Sequence, residues 1–195
     1  MEDLLLKGQS LGLQSCFLSF PDSEKVKSAL GIRSPLTVTA IAALGYGLPR
    51  QKKLRVNSKT MGCVDIIAQR GYYAPKKDIR ELAFVDTVDN IQGLDERIGF
   101  CEDPLWQGLY GVSKAPSYLN RQPYAFLLRE RDILLVRQPD PYTDESSFRL
   151  DLGMAMLHFT AAAEQWGGRV TWSFQDLPAC SLPAGYVPAA LCRME

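Results

Sequence analysis

The residues best suited to chemistry run from Ala115 to Phe126, in the string Ala-Pro-Ser-Tyr-Leu-Asn-Arg-Gln-Pro-Tyr-Ala-Phe. A helix stopped by one proline, followed by Ser, Asn and Gln side chains and a second proline before a strand, sets several polar groups in one rigid loop. Such a loop can recognise a planar heterocycle. The amide of Asn120 offers a donor and an acceptor to the edge of a pyrimidine-like ring, while Pro116 and Tyr118 offer apolar surface to its face. The same residue types also suit an ordinary helix-to-strand loop with capping side chains, and on the residues alone both readings stand.

Other groupings are weaker. Cys16 with His158 could form a nucleophile and base, and Ser117, His158 and Asp151 a triad, but Asp151 and His158 are seven residues apart on one helix face. That spacing is too long for a direct hydrogen bond, and no G-x-S-x-G elbow accompanies Ser117. A buried, hydrogen-bonded structural role suits His158, the single histidine of the chain. Gly45-x-Gly47 has no third glycine and opens no helix, so it is not a dinucleotide fingerprint. The five cysteines, at 16, 63, 101, 180 and 192, are scattered and never form C-x-x-C. Neither a disulfide framework nor a zinc site follows from them.

The elements that must position these groups are partly readable. Leu4, Leu5, Gly8, Leu11 and Gly12 recur at helical spacing and predict a helix from Met1 to about Gly12, one that begins as though a segment before it were missing. An extended stretch to Phe20 follows, then a short helix with Asp22 or Ser23 as N-cap and Gly31 as its stop. Leu36 to Leu44 reads as a buried strand, broken by Gly45, Gly47 and Pro49. Arg50 to Thr60, with Lys52, Lys53, Arg55 and Lys59, reads as a solvated basic loop, and Cys63 to Arg97 as weakly helical pieces separated at Pro75. Leu105, Leu109 and Val112 predict a helix ending near Ala115-Pro116. Tyr124–Leu128 and Ile133–Arg137 form a predicted hairpin about Arg129 to Asp132. Phe148, Leu152, Ala155, Met156, Phe159, Ala163 and Trp166 follow helical spacing, and Leu150, Met154 and Leu157 make a second face apolar, which predicts a central helix. Gly167-Gly168 ends it, and Val170, Trp172 and Phe174 alternate as a strand.

The 195 residues are 46% hydrophobic and 23% charged, the composition of an ordinary globular chain with one sizeable core. Lys+Arg and Asp+Glu both total 22, so no basic excess draws the chain to nucleic acid. No run approaches the roughly 20 apolar residues of a membrane helix, and Glu2 and Asp3 stand where a signal peptide carries positive charge. These features predict no membrane partner and a cytoplasmic protein.

Five blocks, in order, resemble the FMN-dependent nitroreductase family, and within it a thermophilic branch with two fused half-domains. The Ala115–Phe126 string is similar to the family's flavin-contacting A-P-S-x-x-N-x-Q-P-[YW]-x-F loop. Leu5 to Phe17 resembles a helix end plus an L-G-L-G-T-C-W loop, and Ala42 to Gly47 a strand end before the domain crossover. Lys76 to Leu82 resembles R-K-P-L-x-E-[LI], and Asp151 to Phe159 resembles D-x-G-x-x-x-x-H-[FL]. The resemblance implies an α+β fold, a central mostly antiparallel sheet flanked by helices, in a single domain of two intertwined half-domains at about 1–90 and 91–195. It also implies noncovalent FMN, NAD(P)H as electron donor, and a nitroaromatic or quinone acceptor reduced in a ping-pong cycle, with the cofactor carrying the chemistry. Residue by residue, Pro116, Ser117 and Asn120 match the loop on the isoalloxazine and ribityl region. Gln14, Ser15 and Cys16 match the loop whose amides lie near N5 and O4. Lys76 or Lys77 matches the basic position near the phosphate, with Lys52 and Lys53 as less aligned rivals. Gln14 stands where glycine is usual, Phe17 where tryptophan is usual, and the family's first phosphate-binding segment has no counterpart. The alternative expectation is therefore a shortened relative that serves as a flavin-binding or assembly module without turnover. In either case the apolar face of the first helix predicts a homodimer or higher oligomer.

Overall fold

A computed structural model describes residues 2–18, 20, 22–47, 54–60, 63–68 and 75–195, the stretches 54–60 and 63–68 as backbone only. The chain divides into two compact units, Met1–Tyr72 and Tyr73–Glu195. Both contain strands, and the fold class is α+β.

In the first unit, α1 (Glu2–Ser10) buries Leu5 and Gly8. Strand β1 (Gln14–Leu18) pairs antiparallel with β2 (Ile41–Gly45), Gln14 opposite Gly45 and Leu18 opposite Ile41. Between them lies α2 (Ser23–Leu30), capped as its sequence predicts. The Asp22 carboxylate accepts from the backbone N–H of Glu24 and Lys25, and Gly31 closes the helix in the left-handed region. Strands β3 (Leu54–Thr60) and β4 (Cys63–Ala68) make a second antiparallel pair.

Three expectations are corrected in this unit. The strand expected over Leu36 to Leu44 begins only at Ile41, and it is not buried: it is half of a two-stranded sheet, with Leu44 43% exposed. The basic segment after Arg50 is a strand from Leu54 onward, and Cys63–Ala68 is a strand rather than helical. A short run such as Val64-Asp65-Ile66-Ile67 has no periodicity that separates strand from helix, and only its pairing with β3 decides.

The second unit is built on a five-stranded sheet in the order β5-β6-β7-β9-β8. Here β5 is Ala83–Val85, β6 Tyr124–Leu128, β7 Ile133–Arg137, β8 Val170–Ser173 and β9 Val187–Met194. All neighbours are antiparallel except β5 and β6. The β6–β7 hairpin has the boundaries that its sequence predicts. Apart from the terminal Arg137, its strands are apolar because both faces of the sheet are covered. Tyr124, Phe126, Leu128, Ile133 and Leu135 face the helices, while Ala125, Leu127, Leu134 and Val136 face a smaller core with Leu177, Leu182 and Tyr186.

Two small helices, α3 (Ile79–Leu82) and α4 (Leu94–Ile98), precede the pair that covers the sheet, α5 (Pro104–Lys114) and α6 (Glu145–Gln165). Helix α3 opens with a capping box between Asp78 and Glu81. Helix α5 begins at a proline and stops at Ala115 before Pro116, whose ring drives the preceding residue to ψ 138. Asp144 caps α6 through the Ser147 N–H at 2.7 Å.

The two long helices approach closely at Gly111, where an added Cβ would lie 2.7 Å from the His158 carbonyl oxygen. Phe159 of α6 stacks on Phe126 with ring centroids 5.5 Å apart, and Trp172 meets both rings edge-on. Helix α6 is not buried all round as expected: Phe148, Asp151, Ala155, Phe159 and Ala163 are buried, as is Met154 of the second apolar face, but Leu150 and Leu157 of that face are half-buried and Trp166 is 46% exposed. One face carries the packing against α5 and the sheet. Phe174, expected to continue the following strand, lies beyond β8 and is exposed.

Candidate functional site

The loop between α5 and β6 is built by interlocking hydrogen bonds. After Ala115 the chain turns once through Tyr118–Asn120, where Asn120 N–H donates to the Ser117 carbonyl at 2.9 Å and Arg121 N–H to the Tyr118 carbonyl at 3.0 Å. Leu119, Asn120 and Gln122 all have positive φ, at 49, 58 and 47°. Asn tolerates this region, but Leu and Gln enter it at a cost, on the order of 1 kcal/mol or more each. Three such residues within four positions persist only where the surroundings over-determine them.

Those surroundings are specific. Gln122 is fully buried; its side-chain oxygen accepts from Lys77 N–H at 2.8 Å, and its amide nitrogen donates to the carbonyls of Val112 and Ser113 at 3.2 and 3.3 Å. Its own N–H donates to Ser117 Oγ at 2.9 Å. The Tyr118 N–H donates to both oxygens of the Asp151 carboxylate, at 2.9 and 3.1 Å.

Two lysines brace the loop from the segment that leads into α3. Lys76 is exposed as a residue, yet its ammonium turns inward and donates to the Ala115 carbonyl. The Lys77 ammonium donates to the Gln122 carbonyl at 2.8 Å and to Gln138 Oε1 at 2.9 Å. Beyond them, the Arg121 guanidinium donates to Asp140 and lies 4.8 Å over the Tyr142 ring, while Thr143 Oγ1 donates to the other Asp140 oxygen.

Burial sets the electrostatics. It pushes the Asp151 carboxyl, 1% exposed, up to about 7, against the Tyr118 N–H and the Lys76 charge, which favour ionisation. Burial lowers the Lys76 ammonium, opposed by Asp151 and reinforced by Lys114. Burial also lowers Lys77, opposed by Glu81 and reinforced by Arg121. Asp140 behaves differently: burial works against its charge, but the Arg121 and Thr143 hydrogen bonds hold its carboxyl below the usual range. Burial raises the Tyr124 hydroxyl beneath the loop.

Of the site residues expected from sequence, Pro116, Ser117, Asn120, Lys76 and Lys77 thus come together in the second unit, Pro116, Ser117 and Asn120 half-buried on the loop. Gln14, Ser15 and Cys16 belong to the first unit and lie on β1, where with Ala43 to Gly47 they line an open cleft of about 310 Å³. The Gln14 amide crosses Gly47, where a Cβ would come within 1.9 Å of its oxygen. Lys52 and Lys53 lie outside the described residues. His158, expected to be buried, is half-buried and is engaged with neighbouring groups. Asp151 serves the Tyr118 N–H, so a triad with Ser117 would have to give up that bond.

Sequence reasoning did not assign roles to Gln122, Gln138, Arg121 and Asp140. Gln122 stood in the singled-out string, and its position between two turns and a proline was the available signal. A second open cleft, about 520 Å³, is lined by Arg137, Pro139, Asp140, Pro141, Gly185 and Val187. Among the described residues no helix is long and apolar enough to cross a membrane, and no group of three or more His, Cys, Asp or Glu could hold a metal ion. No family model, no curated protein and no solved structure matches the chain.

Proposed function

We propose that the chain is an FMN-dependent NAD(P)H oxidoreductase of the nitroreductase kind, in which the loop from Ala115 to Gln122 reads the flavin. The observation that carries this reading is that loop: three left-handed residues in four positions, Asn120 among them, held by buried partners and preceded by Ser117. Strain of this kind concentrates where a protein pre-organises a binding face. The residue types fit the ring end of FMN, with Asn120 supplying a donor and an acceptor, Ser117 a hydroxyl and Pro116 an apolar surface. Gln14, Ser15 and Cys16, in the first unit, are also proposed as cofactor-binding residues. FMN would supply hydride acceptance from NAD(P)H and electron delivery to a nitroaromatic or quinone, and the protein's share is to hold the ring and exclude competing contacts. With no charge excess and no membrane-crossing helix among the described residues, the partners proposed are small molecules, in the cytoplasm. A second copy of the chain is proposed to cover Leu4 and Leu11, which are 62% and 65% exposed.

Asn120→Ala is expected to weaken FMN binding by about 1–3 kcal/mol with the fold intact, because an edge of the ring loses its partner. Fluorescence titration of FMN checks it, and equal affinity in both proteins removes Asn120 from the site. NAD(P)H oxidation with menadione under saturating FMN tests turnover.

One observation favours the non-catalytic alternative. The ammonium groups of Lys76 and Lys77 are hydrogen-bonded to the loop, and burial lowers both, which leaves a thin donor set for a phosphate. Absence of turnover with flavin in excess would favour the binding- or assembly-module reading over the enzyme.

A further inference from the structure

Asp151 sits on α6, 33 residues in sequence from the backbone group that it holds. Its carboxylate is almost wholly buried, and both of its oxygens receive the one Tyr118 N–H at the start of the left-handed run. At the other end of the same short segment, the Lys76 ammonium holds the Ala115 carbonyl. Tyr118 is therefore fixed by a carboxylate reaching in from a helix, and Leu119, which follows it, adopts a left-handed conformation that its side chain otherwise avoids. We propose that Asp151 is a proton-operated clamp on the 115–122 loop, holding its strained conformation when ionised and loosening it when protonated.

The groups facing Asp151 make a switch of this kind workable. Lys76, from the segment before α3, and the Tyr118 N–H favour the ionised form; burial disfavours it, as do Asp140 beside the loop and Asp144 at the start of the same helix. Lys114, at the end of α5, acts on Lys76 and opposes its charge. The Tyr124 hydroxyl, beneath on β6, also feels the Asp151 charge. These opposed influences bring the carboxyl to about 7, so both forms are populated near neutrality. A neutral acid accepts a hydrogen bond roughly half as strong as a carboxylate does, so with Asp151 still buried on α6 the strain at Leu119 and Gln122 has less to oppose it. That the loosened loop matters for ligand binding rests on the reading of this loop as the flavin-contacting face; the clamp itself does not.

The test uses the ¹⁵N-labelled full chain without ligand, between pH 5 and 9. The Tyr118 amide resonance is expected to titrate once, near neutrality, with its exchange protection about tenfold lower on the acid side once intrinsic exchange is corrected. In Asp151→Asn it is expected to stay flat. A Tyr118 amide that does not titrate, or that titrates alike in Asp151→Asn, overturns the clamp. Lys76→Met, which keeps the stem and removes the charge, is expected to raise the midpoint by about half a unit or more; an unmoved or lowered midpoint also overturns it. FMN affinity at pH 6 and 8 then separates the two ideas. Tighter binding at pH 8 in the wild type, and no such difference in Asp151→Asn, supports the clamp as a control of binding, and equal wild-type affinity at both pH values overturns that control. A titrating amide with no FMN binding rejects the flavin reading and keeps the clamp, whereas FMN binding with a flat amide rejects the clamp alone.

Discussion

The two compact units solve the same problem with very different resources. The second closes a five-stranded sheet between two layers, so that Phe126, Phe159, Leu134 and Val136 are essentially inaccessible to solvent. The first holds its strands in two-stranded pairs, and Leu5 is its one fully buried apolar side chain among the described residues; Leu36 and Tyr46 are 75% and 86% exposed. A two-stranded sheet is marginal by itself, whereas three or more strands with a covered face sustain a core. The lesson concerns function as much as stability. Groups on the 115–122 loop are held by a frame that can sustain strain, while Gln14, Ser15 and Cys16 are exposed on one strand of a two-stranded pair.

The sharpest way to break this contrast is to remove a core ring. Phe159→Ala is expected to destabilise the second unit by about 3–5 kcal/mol, since it empties the centre of the Phe126–Trp172 cluster. All three tryptophans, Trp106, Trp166 and Trp172, lie in that unit, so urea unfolding followed by tryptophan fluorescence reports on it directly. Leu5→Ala is expected to leave that transition in place. A transition moved equally by both substitutions would show that the units unfold as one.

The next largest effect is expected at Asp151. Its carboxyl is raised in the folded protein, to about 7, so the folded state holds a proton that the unfolded chain has released above about pH 4. Stability should then fall as pH rises from about 4 toward 7 and stay lowered above it. Asp151→Asn removes this dependence and is expected to unfold at higher urea than the wild type at pH 8, by an amount on the order of 4 kcal/mol at most, with the gap closing by pH 4. A gap independent of pH would assign the effect to packing.

The smallest expected difference compares two identical devices in unlike surroundings. Asp22 and Asp144 both cap helices with a carboxylate on backbone N–H groups. Asp144→Ala is expected to lower the second unit's stability by about 1 kcal/mol, since α6 packs on its core. Asp22→Ala is expected to fray α2 locally, seen as faster amide exchange at Glu24 and Lys25, without shifting the tryptophan transition.

What the sequence determined is local. The hairpin from Tyr124 to Arg137, the end of α5 at Ala115, and the caps of α2 follow from alternation, a proline and an Asp–Gly bracket, each acting over a few residues. The loop was also legible as a concentration of polar groups between two prolines. What only the tertiary structure decided is nonlocal. Val64 to Ile67 became a strand because β3 lies beside it, β2 covers only the residues that pair with β1, and β5 joined the sheet in parallel, across a connection no short-range signal encodes. The same holds for the site. That Lys76 reaches Ala115 across 39 residues, and that Asp151 meets the Tyr118 N–H across 33, depends on where α3 and α6 come to rest. Residue types supply the donors and acceptors, but which ones meet is fixed only by packing, because a hydrogen bond tolerates a few tenths of an ångström and sequence spacing between distant elements constrains nothing so fine.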